Sequence, residues 1–115
     1  MPKENYNRKD MPHKRRICIL GSTGSIGTQA IEVIRQHSDI FEAQTLTANN
    51  NSDLLIRQAR EFVPDSVVIV NEEKYPEVCN ALEDLPVKVY TGTDALCDVV
   101  KSSEVDMVLA AMVGF

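Results

Sequence analysis

Gly21, Gly24 and Gly27 stand three residues apart, directly after the apolar run 17–20. Between a strand and a helix, such spacing suits one kind of chemistry: the holding of a phosphate or pyrophosphate by backbone groups. Gly21 lets the chain reverse sharply, Gly24 lacks the Cβ that would keep an anion away, and Gly27 lets the helix pack closely on the sheet. The N–H groups of the helix's first turn have no partners within the helix and, aided by its dipole, point at the anion. Thr23 and Ser25 add hydroxyl donors. The alternative is a glycine-rich structural turn with no ligand. The spacing is GxxGxxG and not the commoner GxGxxG, so it speaks more to the fold than to the ligand.

Selectivity among dinucleotides is expected about twenty residues further on, at the end of the second strand. The chain there reads Thr47-Ala48-Asn49-Asn50-Asn51-Ser52-Asp53. No acid stands at the strand end, where an NAD site usually holds the ribose 2′-hydroxyl; Asp53 follows the expected helix cap and suits a helix N-terminus. Asn49, Asn50, Asn51 and Ser52 can instead donate to a 2′-phosphate, with Arg57 adding charge from one turn into the helix. This favours NADP over NAD. The other reading of the three asparagines is a polar turn tolerant of unusual dihedrals.

No catalytic set and no metal site emerges. His13 lies in a basic N-terminal arm, and His37 ends a helix, where an imidazole suits the dipole. Glu72, Glu73, Glu77, Glu83 and Asp84 read as a solvated helix face. Cys18, Cys79 and Cys97 are an odd number without metal-ligand spacing. Cys18 lies in an apolar run as a small buried hydrophobe, and a reduced, cytoplasmic setting is expected.

The elements that must position these residues follow from the apolar pattern. Residues 16–20 form a buried strand, and 25–37 a helix with Ile26, Ala30, Ile31, Val33 and Ile34 along one broad face. Residues 43–47 are a second strand. A helix over 53–62 is expected to take Ser52 as N-cap, to draw its apolar side from Leu54, Leu55, Ala59 and Phe62, and to stop at Pro64. A third strand covers 66–70, then a helix over 72–85 with Pro76 in its first turn. A fourth strand at 87–91 leads to a helix over 93–101 capped from Thr91 or Thr93. Residues 105–112 are a fifth strand and the turn leaving it. Strand and helix alternate throughout, and the strands are apolar on both faces. That predicts an α/β fold, a Rossmann-type parallel sheet with helices on both faces. The chain stops at Val113-Gly114-Phe115, directly after a strand, so the sheet is expected to be truncated after about five strands.

With 115 residues the chain suits one small domain with a real core. Residues 1–16 hold six Lys/Arg against two Asp/Glu, net +4, and the remainder six against fifteen, net −9. The arm, residues 1–15, reads as a flexible leader, with the folded part running from 16 to 115. An acidic body with few aromatics in no stacking pattern argues against nucleic acid. No run approaches the ~18 apolar residues of a membrane span, and the arm lacks the apolar core of a secretory signal.

With these stretches in view, the chain resembles the 1-deoxy-D-xylulose 5-phosphate reductoisomerase family. The resemblance rests on Ile19-Leu20-Gly21-Ser22-Thr23-Gly24-Ser25-Ile26-Gly27, on the loop from Ala48 to Asn51, and on Ala110-Ala111-Met112-Val113-Gly114. It implies an NADPH-dependent enzyme of isoprenoid biosynthesis that rearranges deoxyxylulose phosphate with the help of Mg²⁺ or Mn²⁺. The enzyme then reduces the aldehyde formed, and it works as a homodimer. By position, the resemblance places Thr23, Gly24, Ser25 and Ile26 at the cofactor's pyrophosphate, and Asn49, Asn50 and Asn51 around the adenosine ribose and its 2′-phosphate. Ala111 and Met112 would line the nicotinamide side. Members often carry Gly-Lys-Asn where this chain has Asn49-Asn50-Asn51, which removes a cation from the 2′-phosphate site. The family's metal ligands, substrate-phosphate residues and catalytic histidine would all lie beyond Phe115, so this chain alone is expected to be catalytically silent. Two other readings stay open: another NADP-dependent reductase of the semialdehyde dehydrogenase type, and a nucleotide-sensing module without chemistry.

Overall fold

The computed structural model describes residues 14–111. Most of the basic arm, His13, and the segment from Met112 to Phe115 lie outside the described residues. The strands are β1 (Arg15–Leu20), β2 (Phe41–Ala48), β3 (Ser66–Ile69), β4 (Lys88–Thr91) and β5 (Met107–Ala110). The helices between them are α1 (Ser25–Gln36), α2 (Ser52–Phe62), α3 (Tyr75–Ala81) and α4 (Thr93–Val100). All strand pairings are parallel, in the order β4-β3-β2-β1-β5. The Rossmann-type sheet read from the alternation is the fold observed.

Helices cover both faces. Ile31 and Ile34 of α1, Leu55 and Ala59 of α2, and Val78 of α3 share one core with Ile17, Ile19, Leu46, Val67 and Ile69 of the sheet. On the other face Val99 of α4 packs with Cys18 and Val68. The strands in the middle must therefore be apolar on both sides, and β2 is buried at every position from Ala43 to Ala48. Burial pushes the Cys18 thiol up to about 11, so it is a packing residue and not a thiolate. Between Ile17 and Cys18 the register to β2 shifts, with Ala43 opposite Ile17 and Thr45 opposite Cys18. Gln44 is the extra residue of a bulge.

The chain turns one way from β1 to build β2, β3 and β4, then α4 carries it back under the sheet to β5 on the other side of β1. The connections after β1 and into β5 thus part to opposite faces, which opens a crevice at the C-terminal ends of these two strands. On β5, Met107, Val108 and Leu109 are 40%, 42% and 36% exposed, and the strand pairs with β1 alone among the described residues. No helix among the described residues is long and apolar enough to cross a membrane.

Local expectations differ at the ends of elements, where single hydrogen bonds decide. The apolar face of α1 is narrower than its sequence suggests: Gly27, Ile31 and Ile34 are buried, whereas Ile26 and Val33 lie outside that stripe, half exposed. The cap of α2 is Asn51, whose Oδ1 accepts from the Leu54 N–H at 3.2 Å, because the Ser52 hydroxyl instead donates to Glu77 at 3.0 Å. The region expected as one helix over 72–85 divides into a 3₁₀ turn at Glu72–Lys74 and the short α3, with Pro76 in its first turn. Neither threonine caps α4: Gly92, at φ 92°, holds the cap position, and the Thr91 hydroxyl donates to the Ile69 carbonyl at 2.7 Å. Exposed ion pairs tie the helices of the larger core together, Arg35 of α1 to Glu61 of α2 and Arg60 of α2 to Asp84. Each pair at such a surface contributes at most about 1 kcal/mol.

Val63 ends α2 in the left-handed region, at φ 44°, a conformation that costs a β-branched residue about 1–2 kcal/mol. Glycine has no such cost, and the Val63 side chain is 42% exposed. Val63→Gly should therefore stabilise the fold by about 0.5–1 kcal/mol, after the entropy glycine loses on folding. Urea unfolding measures this, and a lower midpoint would mean that side-chain packing outweighs backbone strain here.

Candidate functional site

The three glycines of the turn have three different reasons. Gly21 takes φ 86°, which only glycine adopts freely. A Cβ on Gly27 would lie 2.0 Å from the Gly21 carbonyl oxygen and 2.7 Å from Cα of Ser22, so α1 could not seat against the turn. Gly24 is different. Its φ of −78° suits any residue, and an added Cβ would meet nothing nearer than the Gly21 oxygen at 3.8 Å. Nothing among the described residues demands a glycine there, and the space its missing side chain leaves opens on the crevice.

The turn is locked from beneath. The Gly21 N–H donates to Oγ1 of Thr47 at 2.9 Å and the Ser22 N–H to the Thr47 carbonyl at 2.8 Å, binding the end of β1 to the end of β2. From α2, Gln58 donates through Nε2 to the Ser22 carbonyl at 2.9 Å and accepts through Oε1 from the Ser22 hydroxyl at 2.7 Å. Ser22 and Thr47 are fully buried and Gln58 nearly so. Sequence reading did not single out these three residues. The signal was present in Gln58, a polar side chain three residues after Leu55 on the face of α2 that the helix buries.

Above this clamp lies a cleft of about 320 Å³ lined by Gly21, Thr23, Gly24, Asn49, Asn50, Asn51 and Ala111. The structure thus brings together Thr23 and Gly24 from one expected set with all three asparagines from the other. Ser25 and Ile26 do not line the cleft. They are exposed on the first turn of α1, where their backbone N–H groups belong to the end of the helix that lacks internal partners. Among the described residues no side chain caps that end, and no acid stands in its first turn, so it is open to an anion. Ala111 does line the cleft; Met112 lies outside the described residues.

The asparagines have separate tasks. Asn51 caps α2. Asn50 accepts through Oδ1 from Nδ2 of Asn71 at 2.9 Å, and the Asn49 carbonyl accepts from the Asn71 N–H at 2.9 Å. Arg57, expected to add charge, lines instead a separate groove between α1 and α2 with Thr28, Glu32 and Glu61. No Lys, Arg, Asp or Glu lines the cleft among the described residues. Nor do the described residues contain a group of His, Cys, Asp or Glu that could hold a metal ion. A larger cleft of about 340 Å³ lies elsewhere, beside α4 and the N-terminal ends of β3 and β4. It holds none of the glycine turn, and the switch-point crevice is where such sheets bind ligands.

Fold and site together define a Rossmann-type domain whose glycine turn opens on a cleft that suits an anionic dinucleotide. Comparison with known proteins narrows the class. A sequence model of 1-deoxy-D-xylulose 5-phosphate reductoisomerase matches residues 17–115, and the chain belongs to that family. It is 62% identical over 102 residues to the reductoisomerase of Bacteroides thetaiotaomicron, covering 89% of this chain and 26% of that protein. To the enzyme of Porphyromonas gingivalis it is 55% identical over the same length, again covering 89% of this chain and 26% of the relative. The chain thus spans about a quarter of the length of the curated relatives it matches. Among solved structures, the reductoisomerase from Zymomonas mobilis in complex with NADPH superimposes with a TM-score of 0.84 at 30% identity, covering 89% of this chain and 27% of that one. A reductoisomerase complex with NADPH, fosmidomycin and magnesium gives 0.83 at 31% identity, covering 87% and 25%.

Gln58→Leu keeps the size of the side chain but leaves the buried Ser22 carbonyl without its side-chain donor. It should cost about 1–3 kcal/mol of stability, the penalty for an unsatisfied buried polar group. Denaturant unfolding reads this directly. A change within experimental error would show that the turn does not depend on Gln58.

Proposed function

We propose that this chain is the NADPH-binding part of a 1-deoxy-D-xylulose 5-phosphate reductoisomerase, which converts deoxyxylulose phosphate to 2-C-methyl-D-erythritol 4-phosphate in isoprenoid biosynthesis. The observation that carries this reading is Gly24, whose absent side chain opens on the cleft without any internal need for glycine. Support also comes from the family match over residues 17–115 and from the NADPH in the related Zymomonas structure. The same match favours the reductoisomerase over a semialdehyde dehydrogenase or a sensing module.

In this reading the cleft residues bind and orient, and do no bond-breaking themselves. The uncapped first turn of α1, from Ser25 onward, and the hydroxyls of Thr23 and Ser25 receive the pyrophosphate. Asn49 and Asn50 face the adenosine ribose with its 2′-phosphate, while Asn51 acts from behind by fixing the start of α2. Ile26 borders the site through its backbone, and Ala111 leaves room towards the nicotinamide. Bound NADPH supplies the hydride that reduces the aldehyde. The groups that bind Mg²⁺ or Mn²⁺, hold the substrate and move its protons belong to the part of the relatives that this chain does not span. The whole enzyme is a cytoplasmic homodimer, and this chain alone turns nothing over.

Gly24→Val fills the space above the turn without straining the backbone. It should weaken NADPH binding at least about tenfold, that is about 1.4 kcal/mol or more, while leaving the unfolding midpoint nearly unchanged. Calorimetric titration of the chain and its variant tests this; equal affinity with the fold intact rules out the cleft as the pyrophosphate site. In a parallel assay, the chain supplied with NADPH, Mn²⁺ and deoxyxylulose phosphate should show no loss of NADPH absorbance. Sustained turnover would reveal catalytic groups among these residues.

A further inference from the structure

Asn71 follows β3 at the edge of the cleft. Its N–H donates to the Asn49 carbonyl at 2.9 Å, extending the β2–β3 ladder beyond both strands. Its side chain makes two further hydrogen bonds whose directions are fixed by chemistry. The Glu73 backbone N–H can only donate, and it stands 3.0 Å from Oδ1 of Asn71. Nδ2 of Asn71 is therefore the atom turned to Asn50, 2.9 Å away, and the atom of Asn50 that receives it must be Oδ1. The Asn50 amide is thus spoken for on its carbonyl side. What remains for a ligand is its NH₂ group, which can only donate. The usual ambiguity of an asparagine amide is removed here by a chain of bonds anchored on a backbone N–H.

That orientation matters because, among the described residues, no cation lines the cleft to do the selecting: its lining is Gly21, Thr23, Gly24, Asn49, Asn50, Asn51 and Ala111. A ribose 2′-hydroxyl can donate or accept, and would be content with either edge of an amide. A 2′-phosphate only accepts at neutral pH, so it is favoured by an amide nitrogen and repelled by an amide oxygen. We propose that Asn71 is a specificity-determining residue that acts through Asn50, holding its amide as a donor so that the cleft prefers a nicotinamide dinucleotide bearing a 2′-phosphate. This rests on the reading of the cleft as the NADPH site. Asn71 touches no ligand in this account; it is a positioning residue.

The test reverses the relay. Asn71→Asp keeps an oxygen for the Glu73 N–H, so the 3₁₀ turn is retained, but presents its other oxygen to Asn50. The Asn50 amide must then turn its NH₂ inward and its carbonyl to the ligand. Calorimetric affinities for NADPH and NADH are measured on the parent chain, Asn71→Asp, Asn50→Ala and the double variant. The expected result is a loss of NADPH affinity of about tenfold or more in Asn71→Asp, with NADH affinity changed less than about twofold. In the Asn50→Ala background the same aspartate should cost NADPH less than about threefold, because only its charge at a distance remains. An unchanged NADPH-to-NADH ratio overturns the proposal, as does an equal loss of both cofactors. So does a loss as large without the Asn50 amide as with it, which would assign the effect to charge alone. If the parent binds neither cofactor, the reading of the cleft fails first and takes this proposal with it, an outcome distinct from binding with unaltered preference.

Discussion

The two hydrogen bonds between Gln58 and Ser22 hold the rest of the site in place. They join α2 to the turn after β1, and the Ser22 N–H carries the connection on to β2. Each such bond contributes only about 1 kcal/mol net, yet all are buried, so breaking any one leaves a polar group without water or partner. A segment rich in glycine would otherwise sample many conformations. The clamp selects the one in which Gly24 lines the cleft and the start of α1, next to it in the chain, is left without a side-chain cap. Binding then has less ordering to do, which is how preorganisation raises affinity without new contacts.

The parallel sheet supplies the second constraint. Because β1 is flanked by β2 and β5, its following turn lies at the place where the connections part. The glycine turn, the asparagine loop after β2, and Ala111 after β5 come from three different strand ends, and only this strand order brings them to one cleft. Ala48 and Asn49 then pass the geometry outward, through their carbonyls, to the Val70 and Asn71 N–H groups. The β3 end therefore joins the site although it lines no part of the cleft. The large core beneath is formed by Leu46, Leu55, Ile69 and their neighbours. It fixes α2, and so Gln58, relative to β2.

Much of this was legible in the sequence. The alternation of apolar runs with amphipathic segments gave the fold, because a strand buried on both faces leaves no other pattern. The glycine spacing located the turn, and the loop at 49–51 located the second wall. Several features were not legible for a common reason: they depend on which polar group wins a shared partner. Asn51 and Ser52 are both good helix caps, and only the position of Glu77 draws Ser52 away. Thr91 has a hydroxyl suited to capping but spends it on the neighbouring strand. Arg57 is well placed in sequence, and the rotation of α2 turns it towards Glu32 and Glu61. Gln58, on the same face of α2 as Leu55 and Ala59, was the visible clue to the clamp, and its partner lay 36 residues away.

The turn is built before any ligand arrives. Amide hydrogen exchange tests it most directly, residue by residue, on this chain with and without NADPH. The Gly21 and Ser22 amides, both donating to Thr47, should be as protected as those of the β1 core even in the free chain, and cofactor should add little. The Ser25 and Ile26 amides, at the uncapped start of α1, should exchange quickly in the free chain and gain protection when NADPH binds. Fast exchange at Gly21 and Ser22 that slows only on adding cofactor would contradict the account, because the ligand and not Gln58 would then be shaping the turn.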